Sequence, residues 1–220
     1  MKINMFQGMG FSGNVFLLDA KKPCLIDTGW DSDIAYPGAE VGKILGKRKL
    51  AFIVLTHRHI DHVGGAKAFQ RMFGGEMLAH SLDSEALLSG DPISTGARLF
   101  GGSLEPLQVR KLDEEDKIDL GGGESLKVIH TPGHTVGSMC LLSGDGELFS
   151  GDTVFAGGDV GRWDLETGDY SQLLASVEKV SMLDVESLYP GHGPCAEGDA
   201  KEHLARSLRY LKSVGRLGNQ

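Results

Sequence analysis

Apolar residues in this chain come in short runs separated by glycine-rich or acidic breaks. Residues 51–55, Ala-Phe-Ile-Val-Leu, form a β-branched and aromatic run of the kind that makes a buried strand. Residues 14–18 and 24–26 read as two shorter strands joined by the turn Asp19-Ala20-Lys21-Lys22-Pro23, and residues 76–80 as another. In the second half, residues 108–112, 117–120, 125–129, 136–142, 147–150 and 185–189 repeat the strand pattern. Helical spacing predicts helices over 34–45, 65–73 and 82–88. Two more follow over 171–183, with Leu174, Val177 and Val180 on one stripe, and over 201–211, with Leu204, Leu208 and Leu211 in register. Pro37 and Gly38 blur the start of the first helix, and Gly74-Gly75 closes the second. Residues 89–102 follow neither period and scatter bulky apolar side chains among glycines, as lids and substrate walls do. Two strand-rich halves, each with helices, predict an α+β fold with helices outside packed sheets.

Composition narrows the class. A length of 220 residues without a linker-like shift predicts one domain over 1–220. With 22 Lys and Arg against 30 Asp and Glu, the formal charge is −8, which speaks against nucleic acid or an anionic membrane as partner. Residues 1–8 lack the apolar core of a signal peptide, and no run approaches the roughly 20 apolar residues of a membrane span. The three cysteines, Cys24, Cys140 and Cys195, are expected to be free thiols in a reducing cytoplasm. Glycine, at 32 residues, is about twice its usual share of about 7%, which implies many tight turns and close backbone approaches.

The chemistry concentrates in Thr56-His57-Arg58-His59-Ile60-Asp61-His62, directly after the 51–55 run. His57 and His59, two apart, point to the same side of an extended segment, while Asp61 and His62 fall in the turn that follows. Imidazole and carboxylate are ligands for zinc and related metals. Crowding four such groups at a strand end without a bound partner would cost about 1–3 kcal/mol for each one buried. Three further strand ends carry residues of the same type: Thr131-Pro132-Gly133-His134-Thr135, Ser150-Gly151-Asp152-Thr153 and Pro190-Gly191-His192-Gly193. Seven ligand-type residues on four strand-end loops predict a metal site.

These motifs resemble the metallo-β-lactamase superfamily, whose mark is His-x-His-x-Asp-His followed by a later His, Asp and His. The resemblance runs from Asp27-Thr28-Gly29 to Gly191-His192-Gly193. It implies a four-layer αβ/βα sandwich with the site along one edge of the paired sheets. It also implies that His57, His59 and His134 hold one metal, that Asp61, His62 and His192 hold a second, and that Asp152 bridges both. Two divalent ions are expected, zinc foremost, with iron or manganese as alternatives. Within the superfamily the segments 150–158, 161–164, 168–170 and 189–193 look most like glyoxalase II-like hydrolases. About one helix follows His192, however, less than the helical C-terminal region with which glyoxalase II enzymes grip glutathione.

The activity this implies is hydrolysis of a thioester or ester by a metal-bridging hydroxide, with Asp61 and Asp152 as the catalytic carboxylates and a small molecule as substrate. Four other readings share the motif or its metal chemistry. They are a mononuclear iron persulfide dioxygenase using His57, His134 and Asp152, a lactonase, a phosphodiesterase, and a non-enzymatic metal-binding domain. Around the ligands, Asp27 is read either as a turn former or as a group orienting the ligand loop, and Thr135 and Thr153 as side chains holding neighbouring ligands. Arg162 is read as a substrate-carboxylate contact or as the partner of Asp164 or Asp169. His80, His130 and His203 are read as structural, Cys195 as a packed thiol, and the oligomeric state is left open.

Overall fold

A computed structural model describes residues 1–217. Twelve strands form two mixed sheets of six. The first runs in chain order: β1 (Lys2–Phe6), β2 (Val15–Asp19), β3 (Cys24–Ile26), β4 (Phe52–Leu55), β5 (Glu76–His80) and β6 (Arg110–Leu112). The second comprises β7 (Lys117–Gly121), β8 (Glu124–His130), β9 (Met139–Ser143), β10 (Glu147–Gly151), β11 (Ser187–Pro190) and β12 (Ala196–Glu197), also neighbouring in chain order. The antiparallel hairpins β1–β2–β3 open the first sheet, and β3 to β6 then run parallel. In the second sheet only β10 and β11 pair parallel.

The period-2 alternation of strand side chains explains the layering. Phe16, Leu18, Ile26, Val54 and Leu78 of the first sheet meet Leu126, Val128, Leu141, Phe149 and Tyr189 of the second in a central apolar layer. Their sequence neighbours Leu17, Leu25, Ile53, Leu55 and Met77 face outward. There they pack with residues of α1 (Ala35–Leu45), α2 (Ile60–Val63), α3 (Ala66–Phe73) and α4 (Ser84–Ser89). On the far side Ile129, Cys140, Leu148 and Leu188 pack against α5 (Tyr170–Ser181) and α6 (Ala200–Leu217). Central strands such as β2, β3 and β4 are covered on both faces, which is why they read as nearly unbroken apolar runs. The result is the expected αβ/βα sandwich.

Three elements carry no run long enough to mark them: the edge strand β1, the short edge strand β12, and the single turn α2 inside the histidine motif. The strand expected from residue 136 begins at Met139 instead. Residues 135–138 form a turn in which Ser138 N donates to Thr135 O and Thr135 N donates to Ser138 Oγ. The final helix extends to Leu217, beyond the expected 211. Among the described residues no helix is long and apolar enough to cross a membrane. Cys24 and Cys140 are buried, and none of the three cysteines is in a disulfide.

His80, at the end of β5, and His130, at the end of β8, stack with ring centroids 4.0 Å apart and planes 13° from parallel. Burial and the neighbouring His130 lower the His80 pKa to about 4, against the pull of Asp113, Glu114 and Asp116. An unfolded histidine titrates near 6.5. The unfolded chain therefore binds the extra proton first as pH falls, so this contribution is complete above about 6.5 and is lost toward about 4. His80→Phe, which keeps a ring in the stack, should flatten the decline of the urea midpoint between pH 6.5 and 4.5. An unchanged slope in that variant would remove the stack from the acid limb.

Candidate metal centre

The predicted ligands converge where strand ends of both sheets meet at one edge of the sandwich. β4 delivers Thr56 to His62, β8 delivers His134, β10 delivers Asp152 and β11 delivers His192. The two sheets are stitched together there. Met139 N donates to Thr56 O (2.9 Å) and Asn14 N to Gly191 O (2.7 Å), while Gly191 N donates to Gly151 O (2.8 Å) within the second sheet. Crowding around Asp152 leaves room for glycine alone at two points. A Cβ on Gly191 would lie 2.2 Å from Asp152 Oδ1, and one on Gly161 would lie 2.0 Å from Asp152 O.

Three overlapping groups each bring their ligand atoms within 4.8 Å of one another: His57, His59 and His134; His57, His62 and Asp152; and Asp61, His62 and His192. His59 Nδ1 lies 2.9 Å from His134 Nε2, and His62 Nε2 lies 3.1 Å from His192 Nε2. Asp61 Oδ2 is 3.2 Å from His192 Nε2. Asp152 reaches toward both ends of the cluster, with Oδ1 3.3 Å from His62 Nε2 and Oδ2 3.5 Å from His134 Nε2.

The remaining hydrogen bonds set the tautomers. Asp27 accepts from Thr56 N at Oδ1 (2.8 Å) and, at Oδ2, from Thr56 Oγ1 (2.7 Å) and His62 Nδ1 (2.8 Å). Since the Thr56 hydroxyl is donated to Asp27, His57 Nδ1 donates to Thr56 Oγ1 (3.1 Å). His134 Nδ1 donates to the Arg162 carbonyl (2.7 Å). His57, His62 and His134 thereby turn Nε2 inward, toward the cluster. The buried His57 Nε2 and Asp152 Oδ1 have no hydrogen-bond partner, although buried polar atoms rarely go without one. Ligand atoms gathered at these spacings suit a shared cation, since two ligands on one tetrahedral zinc sit ~3.3 Å apart. The residues fit divalent metal ions.

Burial, reinforced by neighbouring histidines, pushes His57 well below its ordinary pKa and His59 down to about 3, keeping both imidazoles neutral. Burial opposes ionisation of Asp152, yet the surrounding His62, His57 and His134 hold its pKa well below the usual range. His62 is pushed up against its burial by Asp152, Asp61 and Asp27. A cation entering the cluster therefore displaces a proton, and affinity should weaken as pH falls.

Asp27 orients ligands directly, in a left-handed backbone conformation (φ 54°) that Asp and Asn tolerate better than most residues. Thr135 and Thr153 do not hold ligand rings, contrary to expectation. Thr135 Oγ1 donates to Asp83 Oδ2 (2.8 Å), and Thr153 pairs with Thr131 (2.9 Å), so both brace loop backbone instead. Arg162 binds Asp164 through two bonds (2.9 and 2.8 Å), which is the alternative reading of its side chain, while its carbonyl orients His134.

Sequence reasoning missed Asp83, Arg58 and Asn14. Asp83, fully buried, accepts from Arg58 N (3.0 Å), Gly137 N (3.0 Å) and Thr135 Oγ1, and lies 3.4 Å from the Arg58 guanidinium. Arg58 donates onward to Ser94 O (2.9 Å) and Thr167 Oγ1 (2.5 Å), tying the histidine loop to two neighbouring loops. Asn14 Nδ2 donates to Pro190 O and Gly193 O, fixing the loop of His192. A single Asp or Asn among turn residues gives no signal of such long-range contacts. An arginine between two ligand histidines is the one hint the sequence offered.

Asp27→Asn keeps the backbone conformation but weakens the hold on His62 and should lower metal affinity about 10- to 100-fold. Metal titration followed by elemental analysis per chain checks this, and full metal content at equal affinity would refute it. Asp83→Ala leaves the Arg58 charge buried and unpaired and should cost about 3–5 kcal/mol of stability, read as a lower denaturant midpoint.

The metallo-beta-lactamase superfamily model matches residues 8–192 of the chain. A protein of Methanocaldococcus jannaschii named as a probable metallo-hydrolase is 33% identical over 201 residues, covering 88% of this chain and 92% of its own length. The hydroxyacylglutathione hydrolase GloC of Haemophilus influenzae is 29% identical, covering 88% and 91%. Among solved structures, TTHA1623 in a di-iron-bound form superposes with a TM-score of 0.77 at 29% identity, over 94% of this chain and 99% of that one. With its motif, fold and ligand geometry in agreement, the chain belongs to the metallo-β-lactamase superfamily.

Proposed function

We propose that this protein is a binuclear metal-dependent hydrolase that cleaves a thioester or an ester. The observation that carries the reading is the pair of buried, unpartnered ligand atoms, His57 Nε2 and Asp152 Oδ1, inside overlapping ligand groups. His57, His59 and His134 would hold one ion and Asp61, His62 and His192 a second, with Asp152 between them. When bound, divalent ions supply Lewis acidity toward a carbonyl oxygen and lower the pKa of water toward ~7. The second ligand group favours two ions over the single iron of a dioxygenase. The M. jannaschii and H. influenzae relatives, named as hydrolases, lend the same direction.

The residues around the cluster bear on the leaving group. A cavity of about 360 Å³ opens beside it, lined by His59, Asp61, His134, Asp152 and His192. Asp61 and His192 are the more open of the ligands and would orient a water there. The cavity's other titratable side chain is Arg162, paired with Asp164, and the Thr95 hydroxyl is spent on Asp91 O (2.7 Å). The lining thus carries no separate proton donor for the departing atom. A thiol of pKa about 8.5 leaves as thiolate far more readily than an alcohol or amine leaves as its anion, so a thioester suits this site best.

Protein loaded with zinc, iron or manganese should hydrolyse an activated thioester. The double substitution His57→Ala, His59→Ala should lower kcat/KM by about 10³-fold or more while the protein remains folded. Absence of turnover on thioesters and esters with every metal would count decisively against the reading.

A further inference from the structure

The wall of the cavity away from the ligands is apolar. It is built by Phe11 from the loop after β1, Leu99 and Phe100 from residues 89–102, and Phe155, Val160 and Leu165 from the loop after β10. This wall is continuous with the metal centre, because the Phe155 ring lies edge-on to His192, centroids 6.0 Å apart. At the opening, Phe11 packs on Phe100 (5.4 Å), which Trp30 supports edge-on (5.0 Å). Phe11 is nevertheless 72% exposed, Leu99 68% and Phe100 43%. The loop bearing Leu99 and Phe100 is anchored to the histidine motif, with Ile60 N donating to Thr95 O and Arg58 Nε to Ser94 O. An apolar patch held in place at the rim of a catalytic cavity marks a binding surface.

Charge restricts what binds there. Arg162 is the cavity's one fixed cation among the described residues, and both arms of its fork are taken by Asp164. Arg58 is buried against Asp83 and Thr167. The lining also contributes the carboxylates of Asp61 and Asp152. Among the side chains lining the cavity, anionic glutathione and phosphate-bearing thiols would find no free cation, whereas a linear hydrocarbon matches the wall.

Resting on the hydrolase reading above, we propose that the substrate is an uncharged thioester or ester with a linear apolar acyl chain. The chain lies along Phe155, Val160 and Leu165 and is covered at the opening by Phe11 and Phe100. A glutathione conjugate is not the substrate.

The test compares acetyl, butanoyl, hexanoyl and octanoyl thioesters of N-acetylcysteamine with S-lactoylglutathione, using zinc-loaded protein. Half-burial of each methylene should raise kcat/KM about 2-fold, so on the order of 50-fold from acetyl to octanoyl. S-lactoylglutathione should be the poorer substrate. In Phe11→Ser, Phe100→Ser the octanoyl-to-acetyl ratio should collapse by about 10-fold or more. In parallel, calorimetry measures binding of the matching ketones, in which a methylene separates carbonyl from sulfur and no thioester bond remains to be hydrolysed. Ketone affinity that rises with chain length, without turnover of any ester, would support the acyl groove and overturn the hydrolase reading. Hydrolysis indifferent to chain length, or favouring S-lactoylglutathione, would overturn the groove and leave the hydrolase reading standing. Sedimentation with phosphatidylcholine vesicles, lost in the double variant and accompanied by flat chain-length dependence, would reassign the rim to a lipid surface and also overturn it.

Discussion

Imidazole nitrogens and carboxylate oxygens crowded together at one edge of the sandwich are the constraint on which this molecule turns. His59 faces His134 at 2.9 Å and His62 faces His192 at 3.1 Å, in a site where burial keeps His57 and His59 neutral. Such an arrangement is unfavourable for an isolated chain and favourable around a cation. It persists because the outward nitrogens of His57, His62 and His134 are each committed to a fixed acceptor, which leaves the inward ones no choice of tautomer.

Two buried carboxylates outside the ligand set hold that geometry. Asp27, at the end of β3, binds the backbone and hydroxyl of Thr56 and the ring of His62, so one side chain sets the start and the end of the histidine loop. Asp83 does the same across the sandwich. It gathers Arg58 from the first sheet and Thr135 and Gly137 from the second, fixing the loops of His57, His59 and His134 against each other. Burial pushes the Asp83 pKa up while Arg58 and these donors draw it down. Ordering the metal cluster and closing the two sheets are therefore one event, and the site is only as well formed as the edge that carries it.

The rigid centre is bordered by loops of different character. The ligands come from turns crowded against glycine, while the apolar wall comes from residues 89–102, the loop after β1 and the loop after β10. Arg58 joins the two regions, since its backbone is held by Asp83 and its guanidinium reaches Ser94 and Thr167. The candidate metal centre and the apolar wall are thus physically linked through Arg58, the residue between His57 and His59.

The residue pattern by itself determined most of the strands and helices, their arrangement as helices outside packed sheets, and the metal-type residues, while the four-layer order was implied by the family resemblance. The pattern-derived features depend on short-range signals: unbroken apolar runs such as residues 51–55, helical stripes such as Leu174, Val177 and Val180, and a ligand motif packed into a few adjacent positions. The edge strands β1 and β12 escaped because paired edges need little hydrophobicity. Only the tertiary structure decided what Asp83, Asn14 and the Arg162 carbonyl do, because their partners lie 54, 176 and 28 residues away and nothing in a lone polar residue encodes distance. It also decided that Thr135 and Thr153 brace loops instead of ligands, and that Arg162 spends its charge on Asp164. The identity of a ligand is written in side-chain chemistry, whereas its orientation and the character of the surrounding wall arise only when distant loops are packed together.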